Sequence, residues 1–131
     1  MKIIYYSHSD LTTNQANNTH VLKMCSALIK LGHSVELYVW KNKKKSNDDN
    51  YMQILNKFEI KNNLKVCHYP QVSPIANSFI SSYYLSFKIK FKKIDFIISR
   101  NLRFAYFACN NGIPTFYETH KPINLYNFVD L

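Results

Sequence analysis

Short runs of strand-forming residues alternate along this chain with stretches of helical period, and that alternation restricts the fold more than any other feature. Ile3-Ile4-Tyr5-Tyr6 is a strand run that stops at the polar segment Ser7 to Asp10. From Asn17 to Leu31 the apolar positions Val21, Met24, Leu28 and Leu31 recur at three- and four-residue steps, which predicts a helix packed on one face and ended by Gly32. Val35 to Trp40 predicts a second strand, so strand, helix and strand follow one another within the length of one parallel βαβ unit. Lys41 to Asn50 is charged and polar and reads as an exposed loop. Tyr51 to Ile60, with Met52, Leu55 and Phe58, predicts a second helix, and Leu64 to Tyr69 a third strand closed by Pro70. Ile75 to Phe91, after Pro74, is read as a helix in spite of its β-formers. Phe96 to Ser99 then predicts a strand, Leu102 to Asn111 a helix stopped by Gly112, and Thr115 to Glu118 the fifth strand.

This order predicts an α/β fold, a Rossmann-like doubly wound parallel sheet in three layers, α/β/α. In such sheets ligands gather at the carboxyl ends of the strands, where the strand order reverses. The loops expected to carry function therefore follow strands one, four and five: Ser7 to Thr19, Ser99 to Arg103, and Glu118 to Pro122. The 131 residues suit one domain, and 47% hydrophobic with 15% aromatic residues exclude a disordered chain.

Seventeen Lys and Arg against eight Asp and Glu give a net charge of +9, which favours partners bearing phosphate without choosing among nucleotides, lipid headgroups and nucleic acid. An AT-rich coding sequence would enrich Lys, Asn and Ile in the same way. Cys25, Cys67 and Cys109 lack C-x-x-C spacing and lie in apolar runs, as buried reduced thiols do, so a cytoplasmic setting is expected. Neither an export signal nor an apolar run long enough to span a bilayer is visible in the sequence.

Asn17, Asn18, Thr19 and His20 sit at the start of the first helix, where free N–H groups and the helix dipole favour an anion. The Gly-rich phosphate fingerprint is missing, and Asn and Thr also serve as N-caps. Arg100, after strand four, has the forked geometry that holds a phosphate or carboxylate, and Arg103 follows it. Glu118-Thr119-His120-Lys121-Pro122 brings a carboxylate, an imidazole and an ammonium to the expected cleft edge. There Glu118 reads either as a cap or as an orienting partner for the imidazole of His120. His8, His33 and His68 share no metal-ligand spacing, and neither a Walker-type loop nor a nucleophile elbow is present. Lys41 to Lys45, and Lys88, Lys90, Lys92 and Lys93 interleaved with Tyr83, Tyr84, Phe87 and Phe91, have two readings: contact with an anionic membrane, or a solvated face with the aromatics in the core. Nucleic acid is not an expected partner, because the aromatics are expected to fall mainly in buried strands.

The stretch from Ala16-Asn17-Asn18-Thr19-His20 through Leu31-Gly32-His33-Ser34-Val35-Glu36-Leu37 resembles the first helix and second strand of glycosyltransferase family 4 enzymes. Ile98-Ser99-Arg100, with Gly112-Ile113-Pro114-Thr115-Phe116-Tyr117-Glu118-Thr119-His120, is similar to that family's fourth and fifth strands. The resemblance implies the N-terminal, acceptor-side half of a GT-B enzyme that moves a sugar from a nucleotide-sugar to a glycan or lipid-linked acceptor, with no cofactor or obligatory metal. His120 would match the histidine beside the transferred sugar, and Asn18 stands where many members have Gly. The C-terminal domain that holds the donor nucleotide in that family is absent from this sequence, so the resemblance implies an inactive half.

Overall fold

The computed structural model describes residues 1–7, 11, 16–40, 48–58, 60, 64–69 and 77–119. Strands and helices alternate as β1 (Lys2–Tyr6), α1 (Ala16–Lys30), β2 (Ser34–Trp40), α2 (Asp48–Lys57), β3 (Leu64–Tyr69), α3 (Asn77–Lys90), β4 (Phe96–Ser99), α4 (Leu102–Asn110) and β5 (Thr115–Tyr117). The five strands form one sheet in the order β3-β2-β1-β4-β5, and every neighbouring pair is parallel. The chain is thus a Rossmann-like three-layer α/β/α domain, with its strand order reversing between β1 and β4.

Alternation within the strands decides the layers. In β1, Ile4 and Tyr6 face a core built with Leu85 and Ile89 of α3 and Phe104 and Ala108 of α4. Tyr5 points the other way, into a core with Val21, Leu22 and Cys25 of α1, against which Ile54 and Leu55 of α2 pack. Ile3, Ile4, Leu37 and Ile97 are wholly buried, each burial stabilising by roughly 1.5–3 kcal/mol relative to exposure. The ring of Tyr6 is stacked between Tyr69 and Phe104, with centroids 5.4 and 3.9 Å away.

Both glycines end helices in the left-handed region. At Gly32 (φ 85°) the Gly32 N–H donates to Ile29 O, and the His33 N–H reaches back to Leu28 O. Gly112 (φ 78°) repeats the pattern, its own N–H donating to Cys109 O and the Ile113 N–H to Ala108 O. These paired bonds satisfy carbonyls that a helix end would otherwise leave open.

Four expectations are corrected. α2 starts at Asp48 rather than Tyr51, so part of the charged run is helical. Leu31 lies past the end of α1 and is 73% exposed, because the turn at Gly32 lifts it off the apolar stripe. Cys109 is exposed, on the outer side of α4, while Cys25 is buried; burial pushes the Cys25 thiol up to about 12. The aromatics of α3 are exposed as well, because Ser82, Leu85, Ser86 and Ile89 take its packed face. Among the described residues no helix is long and apolar enough to cross a membrane.

One carboxylate is buried away from the expected site. Glu36 of β2, with its side chain only 6% exposed, meets Lys92 Nζ at 2.8 Å, Lys65 Nζ at 3.5 Å and Lys2 Nζ at 3.7 Å. Lys92 also donates to the Tyr38 hydroxyl at 2.8 Å. Burial pushes the Glu36 carboxyl up, but the hydrogen bond and charge of Lys92, followed by Lys65 and Lys2, outweigh it and leave the carboxyl below the usual range. This group ties β1, β2, β3 and the segment after α3 together, which is structural work.

Candidate functional site

The sheet register delivers the site. Tyr5 pairs with Ile98, and Ile98 with Phe116, so these three residues lie side by side across β1, β4 and β5. Two residues further along β4 and β5, on the same face by strand alternation, come Arg100 and Glu118. The Arg100 N–H donates to Tyr6 O at 3.3 Å and the Glu118 N–H to Ser99 O at 2.9 Å, which continues the ladder past the last strand residues. The α1 helix covers that face and brings His20 over the carboxyl edge.

Glu118 is the centre of the cluster. Its Oε2 accepts a hydrogen bond from the Tyr5 hydroxyl at 2.6 Å, and its Oε1 lies 2.7 Å from His20 Nε2, an ion pair whenever the imidazole is protonated. Arg100 Nε stands 4.0 Å from Oε2, and its Nη1 is buried with no hydrogen-bond partner among the described residues. Burial works to raise the Glu118 carboxyl, but the Tyr5 hydrogen bond, the His20 charge and Arg100 together hold it below the usual carboxylate range. The Tyr5 phenol is pushed far above its ordinary value, first by burial and then by the carboxylate it serves. The result is an ionised, oriented carboxylate with an imidazole that is 42% exposed on one side and a mostly buried guanidinium on the other.

The remaining sequence candidates divide. Asn17, Asn18 and Thr19 lie inside the first turn of α1, which begins at Ala16, so they are not caps preceding it. Asn18 is buried, Asn17 is exposed and Thr19 is partly buried. Asn101, beside Arg100, is the N-cap of α4: its Oδ1 accepts the Phe104 N–H at 2.9 Å, and its own N–H donates to Ser99 Oγ at 3.0 Å. The imidazole that Glu118 faces is that of His20, a pairing not expected from the sequence. His120 lies outside the described residues.

Sequence reasoning missed Tyr5 and the pairing of His20 with Glu118. Tyr5 sits in a strand run and is separated from Glu118 by 113 positions, so no local pattern links them. His20 was visible at the start of α1, but only the sheet order places that turn against the end of β5.

A groove of about 440 Å³ lies on the opposite face of the sheet, between α3 and β2–β3, and contains no member of the Glu118 cluster. Convergent polar chemistry at the switch-point edge outweighs volume in locating the site. No protein-family model matches the sequence, and no curated protein matches it.

Proposed function

We propose that this chain is the N-terminal, acceptor-side domain of a GT-B-type glycosyltransferase that transfers a sugar from a nucleotide-sugar to a glycan or lipid-linked acceptor in the cytoplasm, without an obligatory metal. The observation that carries the reading is the convergence of Glu118, His20, Arg100 and Tyr5 at the carboxyl edge of β1, β4 and β5. In this reading an acceptor hydroxyl sits against His20; as its oxygen attacks the anomeric carbon its proton passes to the imidazole, whose cationic form Glu118 stabilises, while the bond from that carbon to the donor phosphate breaks and the nucleotide leaves as an anion. Arg100 faces a phosphate or carboxylate of the bound substrate. The first turn of α1, with Asn17, Asn18 and Thr19, adds N–H groups that favour an anion. His120, two positions beyond Glu118, acts beside the transferred sugar, and a second domain of the enzyme holds the donor nucleotide.

The test is transfer of labelled sugar from a panel of nucleotide-sugars by the protein expressed from its complete reading frame. Replacing His20 or His120 with Ala is expected to lower kcat by about 10²-fold or more. Absence of transfer with every donor, or transfer that neither substitution alters, overturns the reading. A non-catalytic binding module for a nucleotide or an acidic partner is the competing reading, favoured by the way Glu118 is already engaged by Tyr5, His20 and Arg100. It predicts ligand binding that survives His20→Ala, with no transfer at all.

A further inference from the structure

Helix α3 is built with its small polar residues inside and its aromatics outside. Ser82, Leu85, Ser86 and Ile89, at helical spacing, are its buried face. Ser86 Oγ donates to Tyr83 O at 2.8 Å and accepts from Asn111 Nδ2 at 3.2 Å, so a small hydroxyl is what the packing of α3 on the end of α4 requires. On the other side Phe79, Ile80, Tyr83, Tyr84, Phe87 and Phe91 form a stripe whose exposure runs from 47% at Phe87 to 74% at Phe91. The groove beside β3 opens into the same surface, because Ile80, Tyr84 and Lys88 line both. An exposed apolar stripe of this size on a helix that is already packed on its other side marks a surface for a second cover.

Charge says what the cover is. Lys88, Lys90 and Lys93 are exposed at the end of the stripe, while Lys92 is committed to Glu36. No Asp or Glu occurs in the sequence between Glu59 and Asp95, so α3 and the turn after it carry only positive charge of their own as far as Lys93. We propose that the outer face of α3 docks this protein on an anionic lipid bilayer, the aromatic rings entering the boundary between headgroups and acyl chains and the three lysines meeting the headgroups. A second copy of the same face would bring like charges together. A nucleic-acid surface would present stacking rings on an open sheet or in a basic groove, whereas these rings project from a convex helix, and both arginines of the chain, Arg100 and Arg103, lie elsewhere. The inference stands apart from the proposed transfer activity.

The experiment is co-sedimentation of the full chain with vesicles of phosphatidylcholine alone and of equimolar phosphatidylcholine and phosphatidylglycerol, with light scattering to give the oligomeric state. Two variants are compared: Lys88→Glu/Lys90→Glu/Lys93→Glu, and Tyr84→Ser/Phe87→Ser/Phe91→Ser. Both alter exposed positions, and far-UV circular dichroism and the urea midpoint confirm that they fold; if the aromatic variant does not, the charge variant alone decides. Each exposed lysine is worth on the order of a fivefold change in partitioning, so the charge variant is expected to lose roughly a hundredfold on anionic vesicles. The aromatic variant loses at least about tenfold. Absence of binding, equal binding to both vesicle types, or variants that bind like the parent overturns the proposal. So does a stable dimer that dissolves in the aromatic variant, or displacement from vesicles by single-stranded RNA at lower concentration than the lipid.

Discussion

Removing one hydroxyl tests whether the Glu118 centre is held ready by the fold. In Tyr5→Phe the wholly buried ring keeps its packing, so the loss is confined to the hydrogen bond that the phenol donates to Glu118 over 2.6 Å. A hydrogen bond to a charged group contributes about 1.5–3 kcal/mol. The Glu118 side chain is 24% exposed and recruits water in compensation, which places the expected cost near the lower end, about 1.5 kcal/mol. The effect depends on pH with a definite sign. A carboxyl held below its unfolded value stabilises the fold above the unfolded pKa of about 4.3, and that contribution is lost as pH falls through the folded value. The difference between parent and variant should therefore be full at pH 7 and shrink below about pH 4. Urea unfolding followed by far-UV circular dichroism measures it, and a double-mutant cycle with Glu118→Gln isolates a coupling of about 1–2 kcal/mol. A loss under about 0.5 kcal/mol at pH 7, or a loss that does not shrink once Glu118 is protonated in the folded protein, refutes the reasoning.

At the Glu36 cluster the two partners differ in their access to water, so their deletions should differ in cost. Lys92→Met leaves a carboxylate that is 6% exposed with the Tyr38 hydroxyl and the two more distant lysines, for a loss of about 2–3 kcal/mol, whereas Glu36→Gln frees a lysine already 31% exposed to turn to solvent, for about 1–2 kcal/mol, both read from urea midpoints. Gly32→Ala and Gly112→Ala should each destabilise by about 1–2 kcal/mol in thermal unfolding; an added Cβ meets nothing within 4 Å at either glycine, so the cost is that of the left-handed backbone alone. A thiol reagent should modify Cys109 in the native protein and leave Cys25 untouched until urea unfolds the chain, as mass spectrometry of tryptic peptides would show.

Element identity was legible because each strand and helix carries its own period. Ile3 to Tyr6, Val35 to Trp40 and Phe96 to Ser99 are found as strands, and both glycines end helices. The boundary at Asp48 was not legible, because polar residues at a helix start look like loop until the turn closes over them. The inversion of α3 was hidden for a related reason: an aromatic-rich helix reads as core, and nothing local says that serines will occupy its packed side.

Of the site, Arg100 and Glu118 followed from the rule that function gathers after β4 and β5, and the first turn of α1 followed from the same rule applied to β1. Their meeting at one carboxylate did not follow. The sequence by itself determined the alternation of elements, the helix stops and the lysine excess, since periodicity, backbone freedom and charge are properties of neighbouring residues. Only the tertiary structure decided that the carboxylate of Glu118 is shared by Tyr5, His20 and Arg100, because side chains from β1, α1 and the end of β4 meet through parallel register and strand order, and contacts between segments so far apart leave no mark in any local stretch of the chain.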